Sequence, residues 1–127
     1  MKNNKPAILV VDDEDVKRTA VSEALREAQF TVIEAMDGEM GLEMALTQHP
    51  RLILLDIVMP KMDGLEMLKA LRADEWGKTV HVMLLTGYAD PEKVATALKY
   101  GANDYLLKTS YDLDGIVGEV QRKLGLA

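Results

Sequence analysis

The chain has 127 residues, a hydrophobic fraction of 48% and a formal net charge of -6. That length predicts one domain, residues 1–127, able to bury about two thirds of the surface its unfolded chain exposes. The acidic balance argues against a nucleic-acid interface, which would be basic and clustered. The absence of cysteine excludes disulfide and thiolate chemistry, and no apolar run approaches the length of a membrane span.

The first residues, Met1-Lys2-Asn3-Asn4-Lys5-Pro6, lack the apolar core of a signal peptide, so a cytoplasmic location is the default expectation. Ala7-Ile8-Leu9-Val10-Val11 is a short aliphatic, β-branched run and predicts a buried strand. It ends in Asp12-Asp13-Glu14-Asp15. Acids here can cap a helix and favour its N-terminal dipole, but one or two would suffice. Residues 14–28 carry Val16, Ala20, Ala24 and Ala28, with Val21 and Leu25 beside them, which is helical spacing. Phe30-Thr31-Val32-Ile33-Glu34 predicts a second strand, nearer an edge because polar residues interrupt it. Asp37-Gly38 is a turn; Leu42, Ala45 and Leu46 then mark a second helix, ended before Pro50.

Leu52-Ile53-Leu54-Leu55 is an unbroken aliphatic run leading into Asp56, as expected of a strand buried on both faces of a parallel sheet. Pro60 and Gly64 close the segment, and Asp63 can cap a third helix carrying Leu65, Leu68 and Leu71. Residues 74–79 form a polar loop in which Trp76 is expected to cover helix ends. Val80 to Leu85 predicts a fourth strand, ending at Thr86-Gly87. Pro91 suits the first turn of a fourth helix with Val94, Ala97 and Leu98, and Gly101 ends it. Residues 104–108 predict a fifth strand. Ile116, Val117, Val120 and Leu124 are expected to face inward on a last helix, weakened by Gly115 and Gly118.

Strands alternating with helices imply a parallel sheet with helices on both faces. Each strand then delivers its last residue to one edge, where open α/β sheets bind ligands. The residues delivered are Asp12, Asp13, Asp56, Thr86 and Lys108. Three carboxylates repel unless a cation joins them, and magnesium takes oxygen ligands from few carboxylates plus a phosphate. A carboxylate can also attack phosphorus to give an aspartyl-phosphate. Phosphoryl transfer needs mainly positioning and charge neutralisation, which a metal, an ammonium group and a hydroxyl supply. The plainer alternative is a charged loop rim with one structural Lys–Asp pair. The arrival of five such residues at one edge favours the chemical reading.

From Ile8 to Leu124 the chain resembles the receiver domain of two-component response regulators, including chemotaxis regulators. The acidic pair matches Asp12 and Asp13, the phosphoacceptor Asp56, and the following loop Met59-Pro60-Lys61-Met62-Asp63-Gly64. The switch hydroxyl matches Thr86, and a last motif matches Gly101-Ala102-Asn103-Asp104-Tyr105-Leu106-Leu107-Lys108. The resemblance implies a flavodoxin-like, doubly wound, five-stranded parallel sheet of order 2-1-3-4-5, flanked by five helices. It implies Mg2+ held by Asp12, Asp13, Asp56 and the backbone carbonyl of Val58. It further implies phosphorylation of Asp56 by a sensor histidine kinase, a phosphotransfer protein or a small phosphodonor. Thr86 and Lys108 would be drawn to the phosphoryl group and Tyr105 would rotate. The fourth helix, fifth strand and fifth helix would then change for a downstream effector protein; a homodimer on phosphorylation is left open. Val58 and Tyr88, flanking the family's water path, would set phosphoryl lifetime. Such a domain is no ordinary enzyme, though it assists its own phosphoryl transfer.

Three positions depart from the pattern. Thr109 follows Lys108 where the family commonly has a cis-joined Pro. A cis bond there costs about 2.5–4 kcal/mol, so either the surroundings enforce it or the bond is trans and the loop differs. Arg51 and His81 stand where Asp and Pro are frequent, and both His49 and His81 are expected to be structural or exposed. Competing readings are a receiver cut from a larger regulator, a pseudo-receiver that only binds protein, and a magnesium-dependent phosphatase of another α/β family. The last places its nucleophile after the first strand, and no Gly-rich phosphate loop is present.

Overall fold

The computed structural model describes residues 7–57, 59, 62–86, 90–107 and 112–126. In chain order the elements are β1 (Ala7–Val11), α1 (Asp15–Glu27), β2 (Thr31–Ala35), α2 (Gly38–Gln48) and β3 (Leu52–Leu55). They continue with α3 (Gly64–Arg72), β4 (His81–Thr86), α4 (Pro91–Lys99), β5 (Asp104–Leu107) and α5 (Leu113–Lys123). The strands form one parallel sheet of order β2-β1-β3-β4-β5. β2 does lie at an edge, with an exposed Thr31.

The aliphatic runs are buried because each side of the sheet has its own helices. Leu9, Val11, Ile53, Leu55, Val82 and Leu84 face α2, α3 and α4, packing with Ala45, Met67, Leu68, Leu71, Val94 and Ala97. The intervening residues Ile8, Val10, Leu52, Leu54, Met83 and Leu85 face α1 and α5, packing with Val21, Leu25, Ile116 and Val120. Period-two alternation along a strand therefore feeds two apolar layers, which is why no polar residue interrupts the runs.

Two helix faces differ from expectation. Val16 is 83% exposed, while Val21, Ser22 and Leu25 point inward. With about 3.6 residues per turn, Val16 and Leu25 stand on opposite sides of the helix, so one stripe cannot hold both. On α4, Val94 and Ala97 are buried but Leu98 is 47% exposed, so the apolar stripe is narrower than predicted.

Local chemistry sets the connections. Asp63 and Glu66 form a capping box on α3, each side chain accepting the other's backbone N–H at 2.9–3.0 Å. Gly101, at φ +97, follows the end of α4 in a conformation that favours glycine. Trp76 stacks on His49 with ring centroids 4.2 Å apart. His49 is the left-handed C-cap of α2, so Trp76 does cover a helix end. Among the described residues no helix is long and apolar enough to cross a membrane.

Candidate functional site

The sheet order reverses between β1 and β3: one crossover from β1 runs to β2, the next runs back past β1 to β3. Ligands bind at the carboxyl ends of strands at such a switch point. Two acids sit there because the ladder continues beyond the strands. Asp56 N–H donates to Val11 O at 3.0 Å, and Asp12 N–H donates to Ala35 O at 3.1 Å. Asp12 and Asp56 are buried and Asp13 is half-buried.

Asp12, Asp13 and Asp56 each bring one carboxylate oxygen to within 4.8 Å of the others. An octahedral magnesium ion with oxygens at about 2.0–2.1 Å separates its ligands by about 3–4 Å. The three acids thus stand at, or slightly wider than, the spacing of such a shell, and their donor chemistry suits a hard cation. Helix capping does not account for them. Glu14, the N-cap of α1, makes no side-chain capping bond. Asp12 Oδ1 instead accepts from Glu14 N–H at 2.9 Å, which fixes the carboxylate across the acidic turn.

Thr86 ends β4 on the same edge and is buried. Tyr105, paired in register with Leu84, is 41% exposed on β5. Lys108, Val58 and Tyr88 lie outside the described residues, as does the Lys108–Thr109 peptide. The start of α3 lies against the end of β3: Gly64 N–H donates to Ile57 O at 2.8 Å. A Cβ at Gly64 would stand 2.2 Å from the Asp56 carbonyl oxygen. Only glycine admits this approach, so the first residue of α3 is held against the backbone of Asp56 itself.

Some residues at the site escaped the sequence reading. Lys17 pairs with Glu14 at 2.9 Å on the rim. The hydrogen bond and charge of Glu14 raise its pKa, and Asp12 and Asp56 add to the effect, so the field of the acids reaches this ammonium. Arg18 is 12% exposed and donates to the Asp12 carbonyl at 2.8 Å, to Asp15 at 2.6 Å and to Glu34 at 3.1 Å. Burial works against its charge, but the bonds from Asp15 and Glu34 outweigh that and raise its pKa. Arg26 also binds Glu34, at 3.0 Å. The available signals were an Arg at i+3 from Asp15 and a lone acid inside an apolar strand.

Comparison with known proteins agrees with this geometry. The family model described as "Response regulator receiver domain" matches residues 8–121. The chain is 41% identical over 119 residues to "Regulatory protein AtoC" of Escherichia coli, covering 94% of this chain and 25% of that protein. It is 44% identical over 111 residues to "Nitrate/nitrite response regulator protein NarL" of Escherichia coli, covering 85% of this chain and 50% of that one. The chain thus spans half or less of the length of these relatives. Among solved structures, Vibrio cholerae chemotaxis protein CheY4 superposes with a TM-score of 0.86 at 31% identity, covering 93% of this chain and 98% of that one. A parallel sheet of order β2-β1-β3-β4-β5, acids at its switch point and a family match from residue 8 to 121 lead to one assignment: the chain belongs to the response regulator receiver domain family of two-component signalling.

Proposed function

We propose that this receiver accepts a phosphoryl group on Asp56. The observation that carries the reading is the gathering of Asp12, Asp13 and Asp56 oxygens within 4.8 Å of one another. Like charges this close are costly without a cation to join them. Asp12, Asp13 and Asp56, with the Val58 carbonyl, would hold Mg2+, which when bound neutralises charge on the phosphoryl oxygens. An Asp56 carboxylate oxygen attacks the phosphorus of a phosphohistidine on a sensor kinase or phosphotransfer protein. A P–O bond forms, the P–N bond breaks, and the imidazole nitrogen leaves with the electron pair. A small phosphodonor loses its own leaving group in the same way.

The Thr86 hydroxyl and the Lys108 ammonium contact the phosphoryl oxygens. The added group carries roughly -1.5 to -2 charge. It draws Thr86 and Lys108 toward it and turns Tyr105 inward, shifting the balance between two accessible conformations. The face formed by α4, β5 and α5 changes and is read by a downstream effector protein. The domain acts as a cytoplasmic signalling module, without nucleic-acid contact or membrane insertion of its own.

Wild type and Asp56→Asn are incubated with Mg2+ and a small phosphodonor and their intact masses measured. Wild type gains one phosphoryl group and the variant none. Labelling of Asp56→Asn overturns the choice of nucleophile. An unlabelled wild type overturns phosphoacceptance and points to a protein-binding module.

A further inference from the structure

We propose that Arg18 is a positioning residue for the cation site, holding the acidic turn of Asp12 and Asp13 in ligating geometry. The inference rests on the reading of Asp12, Asp13 and Asp56 as that site. Arg18 reaches back from α1 and donates through Nη1 to the Asp12 carbonyl at 2.8 Å. Its remaining fork is aimed by two carboxylates from opposite sides. Nε donates to Glu34 Oε1 on β2 at 3.1 Å, and Nη2 donates to Asp15 Oδ1 on α1 at 2.6 Å. Glu34 is itself held by Arg26, which also donates to the Val32 carbonyl.

Asp12 is consequently held at three polar groups that fix the path of the turn. Its N–H is bound by Ala35 O, its carbonyl by Arg18 and its Oδ1 by Glu14 N–H. Three neighbouring carboxylates push one another apart, and a turn free to yield would splay them. Arg18 ties that turn to β2 through the Asp12 peptide oxygen and not through its carboxylate. Arg18 reaches its three acceptors through three different nitrogens of a planar fork; an ammonium carries its three donors on one nitrogen and does not span acceptors set that far apart.

Positioning and bare charge predict opposite signs. A guanidinium beside a divalent cation repels it, so by Coulomb's law alone removing Arg18 would tighten Mg2+ binding. If Arg18 positions the turn, removing it weakens binding. Mg2+ is titrated into wild type, Arg18→Gln and Arg18→Lys, following the backbone amide shifts of Asp13 and Ile57, and thermal unfolding is recorded without Mg2+. Both variants are expected to lose ~10-fold or more in Mg2+ affinity, the usual effect of removing a group that orients a ligand. Arg18→Lys keeps the charge and the aliphatic stem and serves if Arg18→Gln does not fold. Tighter binding by Arg18→Gln with Arg18→Lys unchanged would show that only the charge matters and would overturn the proposal. Lower melting temperatures with unchanged Mg2+ affinity would overturn it in favour of a purely structural role. A wild type that binds no Mg2+ would overturn the cation site itself, a separate result seen before any variant is compared.

Discussion

His81 Nε2, at the start of β4, lies 2.7 Å from Asp104 Oδ2, at the start of β5. Lys123, in the last turn of α5, holds the other oxygen at 3.1 Å. One carboxylate thus ties two strands and a helix together at the pole opposite the acidic site. Burial pushes the Asp104 carboxyl up, but the hydrogen bonds and charges of His81 and Lys123 outweigh it and hold the group below its ordinary value. A carboxylate depressed in the folded state contributes stability above its unfolded pKa and loses it as pH falls through the folded value. Asp104→Asn is therefore expected to lose less stability than wild type on acidification below about pH 4. Urea unfolding at pH 7 and along a descending pH series checks this. Equal losses in both proteins would show that the ties to Asp104 carry no net stability.

Gly64 packs backbone against backbone. An added Cβ would meet the Asp56 carbonyl oxygen at 2.2 Å and the Ile57 Cα at 2.8 Å, neither of which can rotate away. Gly64→Ala is expected to cost about 2–3 kcal/mol by overpacking and to weaken Mg2+ binding as Asp56 is displaced. A urea midpoint equal to that of wild type would mean that the start of α3 moves aside without cost.

Ser22 is fully buried under α1, and among the described residues its Oγ has no hydrogen-bond partner. A hydroxyl stripped of water and left unpaired costs about 1–3 kcal/mol, and alanine is the better helix former. Ser22→Ala is expected to stabilise the domain by about 1 kcal/mol, raising the melting temperature by about 4 °C. Calorimetry decides it; a destabilised variant would show that the hydroxyl is satisfied in solution.

Val58 and Tyr88 offer no acid or amide to orient an attacking water. Slow self-dephosphorylation is expected. The decay of the phosphorylated mass after removal of the phosphodonor measures it, and a lifetime of seconds would contradict the expectation.

Unbroken aliphatic runs placed β1, β3 and β4, since only a sheet covered on both faces buries every residue of such a run. Local rules also located the Asp63 cap, the left-handed Gly101 and the cover formed by Trp76. What depends on packing angle was less legible. The inward face of α1 runs through Val21 and Leu25, and spacing alone did not separate it from the stripe containing Val16. Arg18 was invisible for a different reason. Its acceptors come from the acidic turn, from its own helix and from β2, so its role follows only once β2 is known to lie beside β1. His81 was expected to be structural or exposed, and its bond to Asp104 required β4 and β5 to be neighbours.

The two buried acids occupy the rungs just past the ends of β1 and β3, bonded to Ala35 and Val11 through their own amides. Their mutual distance is consequently inherited from the sheet's backbone pairing and not from the fit of any side chain. Aliphatic residues beneath them can be exchanged for others of similar bulk while the cage keeps its dimensions. A shift of β3 along β1 by a single position would turn Asp56 to the other face of the sheet and dismantle the cage at once.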